Sequence, residues 1–121
     1  MNLSFSTREL QNATVVDLKG RIVFGDEVSM LREKVKKIIN EQHRAVVLNL
    51  RDVTYIDSGG IGCLVGLYTS AHQAGLELRL ACANDKVEHV LKITKLLPVL
   101  GAFQDESSAL CACDPKSSAI A

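Results

Sequence analysis

The spacing of hydrophobic and polar positions changes period several times along the chain, and each change marks an element. Residues 2–7 alternate, with Leu3, Phe5 and Thr7 on one side. Residues 13–19 are β-branched and apolar, and Gln11-Asn12 between the two runs is turn-like, so the chain is predicted to open with a β-hairpin. The period then becomes helical through Val28, Leu31, Val35, Ile38 and Ile39. Gly25 or Asp26 is placed to cap this helix. Asp26 and Glu27 suit the positive end of its dipole, and Lys34, Lys36 and Lys37 suit the negative end. Residues 45–50 are almost continuously apolar, the mark of a strand covered on both faces. A short extended piece, 53–56, leads into Asp57-Ser58-Gly59-Gly60, which opens a second helix. Its predicted inward set is Ile61, Leu64, Val65, Tyr68 and Ala71, with Gly75 closing it. Leu76, Leu78, Leu80 and Cys82 alternate as a strand. Asn84 is predicted to cap a third helix carrying Val87, Val90 and Leu91, which ends before Pro98. Residues 99–103 suggest a last short strand. A final helix after Gln104-Asp105 would turn Ala109, Leu110 and Cys113 inward, and residues 114–121 read as a flexible tail.

After the hairpin, strands alternate with helices. That order requires parallel crossovers and predicts an α/β fold, with residues 1–113 as one domain. The 121-residue length fits one domain with its own core. Fourteen basic residues balance fourteen acidic ones, and aromatics are only 4%. This disfavours a basic nucleic-acid binder and a base-stacking platform. No apolar run is long enough to span a membrane, and the first ten residues carry no secretory signal, so a cytoplasmic protein is expected. Cys63 and Cys82 lie within apolar periodic segments and read as small buried hydrophobes. Cys111 and Cys113 have no second ligand pair at zinc spacing, so neither a metal nor a cofactor is expected.

The chemistry concentrates in residues 55–62, between the end of a buried strand and the start of a helix. Ligands and modifications gather at such strand-to-helix turns in open α/β sheets. A phosphate-binding P-loop is excluded, because the segment has no Gly-x-x-x-x-Gly-Lys-[Ser/Thr] pattern and no lysine. A nucleophile elbow would need glycine at 56, where Ile56 stands, and neither His43, His72 nor His89 is placed near Ser58, so no enzyme is expected. Two readings of Ser58 remain. It caps the helix, or it is a regulatory serine that a kinase phosphorylates. Gly59, Gly62 and Gly66 share one helix face. Each interior glycine costs about 0.5–1 kcal/mol relative to alanine, so the strip serves either close helix packing or a flat surface for a partner.

Asp57-Ser58-Gly59-Gly60-Ile61-Gly62, preceded by the strand VVLNL and Asp52-Val53, resembles the anti-sigma factor antagonists of the STAS domain family. Leu18-Lys19-Gly20-Arg21-Ile22 upstream, and Gly66 and Tyr68 downstream, extend the resemblance, and the element order agrees over residues 2–113. The resemblance implies a STAS-type mixed sheet with about four helices mainly on one face. It also implies an anti-anti-sigma factor that binds an anti-sigma factor serine kinase and so releases a sigma factor for transcription. The kinase would phosphorylate Ser58, a phosphatase would reverse this, and only the unmodified form would bind. Implied contact residues are Asp57, Gly59, Gly60, Gly62, Cys63, Gly66 and Asp26, on a monomer or weak dimer. A STAS scaffold that is never phosphorylated, in a signalling or transport assembly, is the alternative. The resemblance is broken at two points. Gly59 stands where many relatives have Ser or Thr. Val23 stands where many carry a kinase-contacting Asp, with Asp26 three residues on after an apparent one-residue insertion.

Overall fold

The opening hairpin forms as the alternation demands. β1 (Leu3–Glu9) pairs antiparallel with β2 (Ala13–Ile22), from Leu3 opposite Gly20 to Glu9 opposite Thr14. A computed structural model of the chain describes residues 3–10, 13–42, 44–93 and 102–103. β2 pairs in parallel with β3 (Ala45–Ile56), β3 with β4 (Leu78–Ala81), and β4 with β5 (Ala102–Phe103). The sheet therefore runs β1-β2-β3-β4-β5, a mixed sheet in chain order. The helices are α1 (Asp26–Lys37), α2 (Ser58–Gln73) and α3 (Asp85–Ile93), and each connects two parallel neighbours.

Successive crossovers in one direction with one hand put their helices on one face of the sheet. The main core shows this arrangement. Val28, Leu31 and Val35 of α1, Leu64 and Leu67 of α2, and Val87 and Leu91 of α3 all pack with Val16, Leu18, Val46, Leu48, Leu50, Leu78 and Leu80 of the sheet. A smaller cluster of Ala13, Val15, Ala45, Val47 and Ala81 occupies the alternate strand positions on the opposite face. β3 thus contributes buried residues to both clusters, which is why 45–50 is almost continuously apolar. Each fully buried Leu or Val contributes about 1.5–3 kcal/mol over leaving it exposed, so these contacts dominate the polar ones.

Several boundaries move from the sequence expectation for identifiable reasons. Residues 53–56 are not a separate piece but the end of one 12-residue strand, because β2 continues beside them to Ile22. α1 widens into a π-turn at Ile38–Gln42, and both Ile38 and Ile39 stay buried. Gly25 occupies the N-cap position of α1 with φ +150, a conformation that favours glycine, and no side chain caps this helix. Gly75 closes α2 as expected: its N–H donates to His72 O at 3.0 Å, and that of Leu76 donates to Ala71 O at 2.8 Å. Asn84 caps α3, its side-chain oxygen accepting from Val87 N–H at 3.0 Å. The fourth helix, the tail, and Cys111, Cys113 and His43 lie outside the described residues.

Arg44 is the main polar tie at the opposite end from Ser58. Its guanidinium donates to the Thr14 hydroxyl at 2.9 Å, to Ala13 O at 3.0 Å, and to Leu10 O. Thr14 is fully buried, so this bond satisfies a hydroxyl that water does not reach.

Candidate functional site

β2 and β3 end side by side, with Ile22 opposite Ile56, and α1 and α2 begin just beyond. Asp57 organises this junction. Its backbone is extended (φ −107, ψ −174), so it stands outside the helix as the N-cap residue. One carboxylate oxygen accepts from Gly60 N–H at 2.8 Å, the other from Phe24 N–H at 3.2 Å. The Asp57 N–H donates to Ile22 O at 3.2 Å. One side chain therefore caps α2 and fastens the loop after β2 against the helix start. These N–H donors, Gly60 foremost and then Phe24, hold the Asp57 carboxyl below its ordinary range, so it carries a negative charge at neutral pH.

The cap is thus Asp57, and the reading of Ser58 as the capping residue is overturned. Asp and Ser are both good caps. The strand ending at Ile56 leaves Asp57 in the extended conformation that a cap requires. Ser58 is the first residue of α2. It is exposed, and its hydroxyl makes no hydrogen bond among the described residues. The four glycines divide into two kinds. A Cβ on Gly60 would lie 2.1 Å from Ile22 O, and one on Gly59 would lie 2.6 Å from the Phe24 Cβ. These two are needed for close approach of backbone to helix. A Cβ on Gly62 or Gly66 would meet nothing within 4 Å. Those two face open space on the exposed side of α2, in line with Ser58.

Close approach at Gly60 sets the rotation of α2 and corrects its predicted inward face. Gly60, Cys63, Leu64, Leu67 and Ala71 are buried, Ile61 and Tyr68 are half-buried, and Val65 points out. Gly60 and Cys63, implied above as contact residues, are instead buried on the inner side of the helix. Burial raises the Cys63 thiol above its ordinary pKa, against a smaller opposing pull from the Arg32 guanidinium. Asp26 is exposed in the first turn of α1, two residues beyond Phe24.

The structure also places a residue that the pattern did not single out. Phe24 is 86% exposed, with its backbone pinned by Asp57 and set against Gly59. A lone aromatic between β2 and Gly25 has no periodicity to reveal it. The only hint was an apolar side chain in a stretch that needs none. His72 stacks on Tyr68 near the far end of α2, about 21 Å along the axis from Ser58 at ~1.5 Å per residue. His89 is exposed on α3. Among the described residues no group of three or more His, Cys, Asp or Glu is arranged to hold a metal. No helix among them is long and apolar enough to cross a membrane.

The family model of the STAS domain matches residues 4–109. The chain belongs to the STAS domain family. This STAS domain is 24% identical over 110 residues to the anti-sigma F factor antagonist of Paenibacillus polymyxa, covering 91% of this chain and 94% of that one. It is 30% identical over 101 residues to the anti-sigma-B factor antagonist of Bacillus subtilis, covering 83% and 90%. Its fold matches the anti-sigma factor antagonist SpoIIAA in the unphosphorylated form (TM-score 0.74, 18% identity, 90% of this chain and 95% of that one). The match to Bacillus SpoIIAA in the phosphorylated form is the same (TM-score 0.73, 18% identity, 92% and 100%), and at that identity the likeness concerns the fold alone.

Proposed function

We propose that this STAS domain is an anti-sigma factor antagonist whose binding to an anti-sigma factor serine kinase is switched by phosphorylation of Ser58. In this reading the unmodified chain sequesters the kinase in the cytoplasm and frees a sigma factor. The kinase phosphorylates Ser58 and so releases itself, and a phosphatase resets the chain. The chain acts by binding and by being modified, not as an enzyme. One observation carries the reading: Asp57 caps α2, which leaves the Ser58 hydroxyl exposed beside a side-chain-free strip at Gly62 and Gly66. The relatives named as anti-sigma factor antagonists support it.

The switch follows from charge. Phosphate adds about −1.5 to −2 charges at neutral pH. At a helix N-terminus that charge is tolerated, so the fold should persist. The ionised Asp57 beside it adds like charge, which a partner covering this surface would have to desolvate. A hundredfold loss of affinity requires only ~2.7 kcal/mol. The test is peptide mass spectrometry of the chain from its own cells, with and without phosphatase, paired with titration of Ser58→Ala and Ser58→Asp against the anti-sigma kinases of the same genome. Phosphate on Ser58, binding by Ser58→Ala and loss by Ser58→Asp are expected. An unmodified Ser58 in every growth phase, or undiminished binding by Ser58→Asp, refutes the switch.

A further inference from the structure

Phe24 and Gly59 depend on one another. The loop between β2 and α1 lies so close to the start of α2 that a Cβ at 59 would stand 2.6 Å from the Phe24 Cβ and 2.9 Å from its Cα. The loop occupies that place because residue 59 has no side chain and because Asp57 holds the Phe24 N–H at 3.2 Å. The ring gains nothing from this position within the chain, since Phe24 is 86% exposed, the most exposed large hydrophobic side chain among the described residues. A fixed backbone carrying an unburied aromatic beside Ser58 has the form of an interface anchor, where rigid aromatics lose little entropy on burial and dominate binding. Two carboxylates flank it: Asp57, ionised and bonded to its backbone, and the exposed Asp26.

We infer that Phe24 is the specificity-determining anchor of this surface, held in position by Gly59, and that it inserts into an apolar socket rimmed by Arg or Lys on the partner. This inference rests on the kinase-binding reading above and adds to it which residue selects the partner. Glycine at 59 makes room for the loop that carries the aromatic. A partner that fits this chain must offer a socket that Phe24 fills.

A double-mutant cycle tests the pair. The parent, Phe24→Ala, Gly59→Ala and the double variant are titrated by calorimetry against each purified anti-sigma kinase of the same genome, with Ser58→Asp in parallel. Phe24→Ala should lose at least tenfold in affinity, equivalent to 1.4 kcal/mol. Its melting temperature should match the parent, because the ring supports nothing. Gly59→Ala should weaken binding by displacing the loop, yet add less than twofold when Phe24 is already Ala. Phe24→Leu should keep most of the affinity. If Ser58→Asp releases the kinase but Phe24→Ala binds within twofold of the parent, the anchor is refuted and the switch stands. If the two substitutions act additively, the pairing is refuted. If the unmodified parent binds none of the kinases, the functional reading falls and the inference falls with it.

Discussion

Gly60→Ala and Gly62→Ala are the same chemical change two residues apart on one helix, and they should have opposite effects. A methyl at 60 would lie 2.1 Å from Ile22 O and 2.9 Å from both Ile22 C and Cγ2. Carbon–oxygen contacts normally begin at about 3.3 Å, so the start of α2 must lift by more than ~1 Å. Ile22 cannot yield easily, since it is paired in the sheet and its carbonyl accepts the Asp57 N–H. Overpacking costs about 1–3 kcal/mol. Lifting the helix also weakens the Asp57–Ile22 and Asp57–Phe24 bonds, at roughly 0.5–1.5 kcal/mol each. The better helix propensity of alanine returns about 0.8–1 kcal/mol. The net expectation is a loss of roughly 2 kcal/mol. Gly62→Ala meets nothing within 4 Å and keeps only the favourable part, a gain of about 0.5–1 kcal/mol. Urea unfolding should be followed by far-ultraviolet circular dichroism, because the chain has no Trp. With a slope of about 1–3 kcal/mol per molar, the two midpoints should part by at least ~0.8 M, with the parent between them. Equal midpoints for Gly60→Ala and the parent, or a comparable loss in Gly62→Ala, would refute the division of the glycines into packed and open.

Arg44→Ala should cost about 1–3 kcal/mol in the same assay, because it strips the partner from the buried Thr14 hydroxyl and frees the carbonyls of Leu10 and Ala13; a loss under 0.5 kcal/mol would show that water replaces it. Asp57→Ala should lose about 0.5–2 kcal/mol, as other cap deletions do, measured by thermal melting. The carboxyls of Asp57 and Asp17 both titrate below 3.8 in the folded chain, Asp17 through its hydrogen bond from Arg8. Both therefore contribute stability above that pH and lose it as pH falls through their lowered values, so Asp57→Asn should flatten the acid limb of a stability–pH curve below about pH 4. Cys63 should resist alkylation at pH 8 until the chain unfolds, because its thiol is buried and its pKa raised; rapid labelling of Cys63 in the native state, located by mass spectrometry, would contradict the rotation assigned to α2.

The elements were legible where side chains report burial by their spacing. The run 45–50 announced a strand covered on two faces, and Asn84 before Val87 announced a capped helix. Glycine defeats that method. Gly60 lies deepest in the α2 contact yet has no side chain to count, so the apolar spacing points the inward face toward Val65 rather than Leu67. The pattern points to Ser58 as the cap, yet Asp57 is as good a capping residue, and only the length of β3 decides between them. The motif located Ser58. Phe24 was hidden because its proximity to Ser58 arises from strands pairing in register, which no local pattern encodes.

The bond from Phe24 N–H to Asp57 joins positions 33 residues apart in the chain. That contact exists only after β2 and β3 have paired and the loop-closure entropy has been met by the whole fold. A synthetic peptide covering residues 53–64 would carry Ser58 and every glycine of its motif, yet it would present neither the ring nor the Ile22 carbonyl on which Gly60 rests. The surface is therefore a signature of completed folding, and a partner that reads it discriminates finished molecules from nascent or misfolded copies bearing the same serine.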